Sequence, residues 1–138
     1  MTTSPRTGLT IALPIEDRRR SFAFYRDGLG FRAVGEPAED GVPEPLRFAV
    51  NDGLTLMLVP TGGFGWVLGG REVAGSGVSE CVLGLDAASP AEVDALLARA
   101  EAAGATVVTA PIRQPWGYSG TFTDPDGHLW MVEAAPED

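Results

Sequence analysis

The chain has 138 residues, 44% of them hydrophobic and 21% charged, which suits one compact domain with a buried core and excludes a disordered or fibrous chain. A formal net charge of −9 argues against nucleic acid or an anionic membrane surface as partner. The lone Cys81 excludes an intrachain disulfide and a multi-cysteine zinc site; no apolar run approaches the roughly 20 residues of a membrane helix, and the start, MTTSPRTG, lacks the basic-then-apolar pattern of a secretory leader. The expectation is a cytoplasmic protein.

Residues 8–15, LTIALPIE, read as a strand whose Pro14 marks an edge or a bulge. Asp17 is placed to cap a helix with an apolar face of Phe22, Phe24, Tyr25 and Leu29, closed by Gly28 and Gly30. Phe31 to Val34 begin a second strand, and residues 35–45, rich in Pro and acids, form a loop. Strands at 46–50 and 54–59 flank the hairpin signal Asn51-Asp52-Gly53. Residues 61–77 read as a Gly-rich connection carrying two aromatics, Phe64 and Trp66.

The pattern then restarts. A strand is predicted over 78–85, and Ser89-Pro90-Ala91-Glu92 supplies an N-cap, a proline at the first helical position and an acid in the first turn. The helix ends at Gly104; a strand over 105–110, a loop through Pro111, Pro115 and Gly117, and a hairpin over 118–133 around Asp124-Pro125-Asp126-Gly127 complete the unit. The order β-α-β-β-β therefore occurs twice. Gly30 and Gly104, Gly53 and Gly127, and Phe48 and Phe122 each differ by 74 in number; Thr10 and Glu80 are matched at 70, with the change assigned to residues 87–90. A tandem unit of this kind must bury an open sheet face against something.

These residues resemble the glyoxalase / bleomycin-resistance / extradiol-dioxygenase family, the vicinal oxygen chelate superfamily. The likeness is carried by Leu13-Pro14-Ile15-Glu16-Asp17, by residues 21–31 (SFAFYRDGLGF), by Glu92-Val93-Asp94-Ala95-Leu96, by Ala103-Gly104-Ala105 and by residues 124–130 (DPDGHLW). It implies an α+β fold of two tandem βαβββ modules forming a cupped, incompletely closed barrel. One domain over 1–138 is expected, with module one at about 7–60, a linker at 61–77 and module two at about 78–135. It also implies a homodimer. Enzymes of the family hold one divalent ion with donors from the first and last strand of each module. Carried over by position, those places fall to Thr10, Met57, Glu80 and Met131. Thioethers are poor ligands for hard ions, and one carboxylate is too few, so no metal and no cofactor is expected.

Glu80 could serve as a general base, as a counter-charge for a ligand, or as a half-exposed strand residue. Phe48, Phe122 and Tyr118 are strand aromatics that could line the cup or fill the core. Phe64, Trp66 and Trp116 lie in Gly/Pro-rich segments, where aromatic anchors suit a binding surface. Arg113, in the same loop as Trp116, could meet an anionic group. His128 shares the face of Trp130, opposite Met131, and is set aside. The reading is a metal-free, cytoplasmic binding protein that sequesters an aromatic small molecule, cationic if the net charge governs, in an antibiotic-resistance role. Its ligand-binding residues would be Thr10, Phe48, Met57, Phe64, Trp66, Glu80, Arg113, Trp116, Tyr118, Phe122 and Met131, with neither nucleic acid nor membrane as partner. The alternative is an enzyme of the same fold: a metal-dependent lyase, isomerase or dioxygenase, or a metal-free enzyme using Glu80 as base.

Overall fold

A computed structural model describes residues 8–136. Residues 1–7, which hold the start judged above for a leader and the first residue assigned to module one, lie outside the described residues, as do 137–138. The chain divides into two compact units, residues 1–26 with 30–73, and residues 27–29 with 74–138. The fold is α+β, with one four-stranded sheet in each half of the chain. No helix among the described residues is long and apolar enough to cross a membrane.

In the first unit β1 (Leu9–Ile15) leads into α1 (Arg18–Ala23), which widens into a π-helical turn over Phe24–Gly28; β2 (Arg32–Val34), β3 (Leu46–Asn51), β4 (Leu54–Pro60) and α2 (Thr61–Val67) follow. The strand order is β1-β4-β3-β2, with β1 parallel to β4 and the other pairs antiparallel. Pro14 thus sits on an edge strand, the place in a sheet where a proline is tolerated. The Asp17 side chain accepts hydrogen bonds from the N–H groups of Arg19 and Arg20 and caps α1. The helical segment packs Tyr25 and Phe22 on Phe48, with ring centroids 5.8 and 6.3 Å apart, over a floor of Ile15, Leu46, Leu56 and Leu58. Arg18 fastens the long loop to the helix. Its guanidinium donates to Asp40 and to the carbonyls of Val42 and Pro43, and lies 3.2 Å from Glu44.

The second unit repeats the plan with β5 (Leu83–Ala87), α3 (Pro90–Ala102), β6 (Thr106–Gln114), β7 (Gly117–Thr123) and β8 (Leu129–Ala134), in the order β5-β8-β7-β6. Ser89 caps α3 by accepting from the Glu92 N–H, while the Glu92 carboxylate accepts from the Ala88 N–H. Val93, Leu97 and Ala100 are buried, as are Phe122, Trp130 and Val132 of the sheet. Gly120 lets α3 come close: a Cβ there would lie 2.8 Å from Leu97 Cδ2 and 3.1 Å from the Pro111 nitrogen. In the 124–127 turn the buried Asp124 carboxylate accepts from the N–H groups of Asp126 and His128, and Gly127 takes the positive φ of 93° that an L side chain resists.

Three sequence expectations change. Residues 61–67 form a helix despite Gly62, Gly63 and Gly65, which lower helix propensity and hide the pattern; the Thr61 hydroxyl donates to the Ile15 carbonyl and anchors its start. The strand expected over 78–85 begins at Leu83 and runs to Ala87. The segment before it turns at 75–78, with the Val78 N–H donating to Gly75, and lies against the hairpin turn, where a Cβ on Gly127 would meet Ser76 Oγ at 2.5 Å. The strand expected over 105–110 continues through register shifts to Gln114, so Arg113 belongs to a strand and not to the loop.

The matching of the two halves changes with it. Asp17 and Ser89 cap equivalent helices 72 residues apart, and Ala12 and Gly84 hold equivalent ladder positions, beside Met57 and Met131, also 72 apart. The step to 74 falls within the helices, where 13 residues of α3 replace the 6 of α1 and the 5 of its π-helical turn.

Candidate functional site

Strand alternation gives each sheet two faces. One packs on its helix; the other is termed the open face. In module one the open face carries Thr10, Ala12 and Pro14 of β1, Thr55, Met57 and Val59 of β4, Arg47 and Ala49 of β3, and Arg32 and Val34 of β2. Met57, half-buried, stands centrally between Ala12 and Arg47. At one end α2 comes up to Val59, whose Cγ1 would lie 3.4 Å from a Cβ on Gly63.

In module two the open face carries Gly84 and Asp86 of β5, Leu129, Met131 and Glu133 of β8, and Ser119, Thr121 and Thr123 of β7. Met131, also half-buried, stands between Gly84 and Thr121. Met57 and Met131, and likewise Arg47 and Thr121, differ by 74 and are equivalent positions of the repeat. Two buried polar atoms on these faces, Arg47 Nε and Thr121 Oγ1, have no hydrogen-bond partner among the described residues.

Of the sequence-predicted residues, the structure brings Thr10 and Met57 to one open face and Met131 to the other. Thr10 is not beside Met57: its ladder partner is Thr55. Glu80 lies outside β5, exposed in the connecting segment. Phe48 and Phe122 are fully buried on the helix-facing sides, with Phe48 opposite Leu56 and Phe122 stacked on Trp130 at 6.4 Å; they are core and not lining. Tyr118 shares the face of Phe122. Its hydroxyl donates to Asp94 of α3 at 2.7 Å, and the Arg113 guanidinium lies 5.7 Å from its ring centroid. The Asp94 carboxylate, with burial adding, raises the Tyr118 pKa above its ordinary 10.0. Trp66 on α2 and Trp116 at the β6–β7 turn are 85% and 62% exposed, and Phe64 is half-buried. Arg47 and Thr121 were missed by sequence reasoning. The signal was available in their spacing of 74, the same as that of the methionines.

Could this set hold a divalent ion? Taken face by face, the central pair is a thioether beside an alanine in one module and a thioether beside a glycine in the other, and among the described residues no three His, Cys, Asp or Glu side chains come together to hold a metal. The donor set does not fit the divalent ion of the family's enzymes.

Residues 9–132 match the family model described as Glyoxalase/Bleomycin resistance protein/Dioxygenase superfamily. The chain belongs to that superfamily. Among solved structures it is similar to a glyoxalase-related enzyme from Fulvimarina pelagi, with 28% identity, a TM-score of 0.77, and coverage of 92% of this chain and 86% of that one. A hypothetical protein from S. aureus superposes with a TM-score of 0.79 at 22% identity, covering 96% of both chains. TnmS3, an antibiotic binding protein from Streptomyces sp. CB03234, gives 0.65 at 23% identity, with 98% of this chain and 100% of that one covered. No curated protein matches the sequence.

Proposed function

We propose that this protein is a cytoplasmic, homodimeric binding module that takes up an aromatic small molecule and performs no metal-dependent chemistry on it. The observation that carries this reading is the composition of the open faces. Where a metalloenzyme of the family needs oxygen and imidazole donors, this chain presents Met57 and Met131, each beside a residue with little or no side chain, Ala12 or Gly84. Soft, flexible thioethers with room beside them make favourable sulfur–aromatic contacts and adapt to irregular shapes. With Phe48, Phe122 and Tyr118 turned to the helices, methionine–ring contact replaces ring stacking as the main source of affinity. An antibiotic binding protein of similar fold lends support, and the position of Glu80, exposed and outside β5, weighs against the metal-free enzyme that would use it as base.

The test pairs metal analysis of purified protein with methyl NMR at Met57 and Met131 during titration with planar aromatic compounds. The expected result is substoichiometric metal and saturable shifts of at least one methionine methyl. Stoichiometric metal that restores turnover of a substrate would replace this reading with the enzymatic one.

A further inference from the structure

We propose that Arg47 makes the open face of module one a recognition site for an oxyanion carried on an aromatic ligand, such as an aromatic carboxylate. The proposal rests on the binding reading above and specifies its ligand class.

Arg47 stands directly across the ladder from Met57, and its Nε is buried without a hydrogen-bond partner among the described residues. A buried donor of this kind is costly to leave unpaired, and a guanidinium offers a planar fork matched to a carboxylate. An unpartnered buried Nε is not by itself the difference, since Arg18 Nε also lacks a hydrogen bond among the described residues; but the Arg18 guanidinium is met by Asp40, Glu44 and two carbonyls. Arg47 has no such set. The described strand positions of its open face include a second cation, Arg32, and no carboxylate. Thr121, the repeat equivalent of Arg47, is likewise unpartnered at Oγ1 and likewise adjacent to a methionine. On the open faces, then, each central methionine has a polar side chain across the ladder with hydrogen-bonding capacity that the described residues leave unused. An aromatic body would lie on the Met57 thioether while its oxyanion accepts from Arg47. The cation expected from the net charge is thereby reversed: the charge of this face, and not the sum over the chain, sets the preference.

Three probes of one shape test it: 2-naphthoate, 2-naphthamide and 2-naphthylmethylammonium, each titrated against the full chain with the Met57 methyl as reporter. The wild type should bind naphthoate about tenfold or more tighter than naphthamide, with the ammonium weakest. Arg47→Gln should bring naphthoate to the naphthamide level and leave naphthamide unchanged, and Arg47→Lys should fall between. Equal wild-type affinity for naphthoate and naphthamide, or an equal loss of both in Arg47→Gln, would overturn the role of Arg47 while leaving the binding module intact. If none of the three moves Met57, the role of Arg47 falls, and if no planar aromatic compound moves Met131 either, the binding reading falls with it. Should Arg47→Gln not fold, the wild type decides: naphthoate affinity must drop with salt while naphthamide affinity holds, and parallel behaviour of the two refutes the ion pair.

Discussion

The open faces of the two modules are built on one plan and carry opposite charge. Module one presents Arg32 and Arg47 around Met57; module two presents Asp86 and Glu133, paired across the β5–β8 ladder, beside Met131. The helix-facing sides, by contrast, are both apolar and share Phe48 and Phe122 at matching places, although Leu46 and Leu56 are answered by Gly120 and Trp130. The core sides keep one apolar character while the open sides take opposite charges, and a net charge of −9 describes neither open face. Fold reading and ligand reading draw on different halves of the same alternation.

That contrast can be broken most sharply at the phenylalanines. Phe48→Ala and Phe122→Ala should each cost about 3–5 kcal/mol in urea unfolding, whereas Met57→Leu and Met131→Leu should cost less than about 1.5 kcal/mol. A mild Phe48→Ala or a severe Met57→Leu would reverse the assignment of faces in module one.

A smaller effect separates the modules by pH. In module one the Val42 N–H, donating to Asp40, holds that carboxyl below its ordinary 3.8, with Arg18 adding to the effect. A depressed carboxyl contributes stability above its unfolded value and loses it as pH falls through the folded one, so this tie weakens only below about pH 3.8. In module two Tyr118 is shifted upward, so its bond to Asp94 is fully present below pH 10.0 and is lost as pH rises from there through the folded value. Amide exchange should show residues 38–44 loosening in acid and the α3–β7 contact loosening in alkali. Asp40→Asn should remove the first response and Tyr118→Phe the second; a shared response at either extreme would contradict the separation. The smallest change is expected at Trp66 and Trp116, where replacement by Ala should alter unfolding free energy by no more than about 0.5 kcal/mol, because both rings are exposed.

Much of this was legible in the sequence. The helix caps at Asp17 and Ser89, the 124–127 turn and the doubled order of elements all rest on local chemistry, and local chemistry survives folding. The faces were harder. With Asn51 opposite Leu54, an unbroken hairpin would set Phe48 against Met57, but the bulge between Ala49 and Asn51 shifts the register and sets Phe48 against Leu56. Nothing in the run of residues announces that extra step. Glu80 misled for a related reason. Sliding the match by two leaves an alternating pattern unchanged, so the sequence cannot tell Thr10 with Glu80 from Ala12 with Gly84. Arg47 escaped notice because an arginine in a strand looks solvated until its neighbours are known.

The unequal helices of the two modules show where the repeat takes up a difference in length. The halves count 72 apart before their helices and 74 after them, so the length change separating the twins sits between strands and not within them. Two residues added inside a strand would have kept its faces but moved every later residue two places along the ladder, away from its cross-strand partners. A helix that shortens and ends in a wider turn absorbs the same event without touching the sheet. The spacing of the ladder positions therefore stays constant through the sheets, and each module carries its own tie beside its helix, the Arg18 contacts in one and Asp94–Tyr118 in the other.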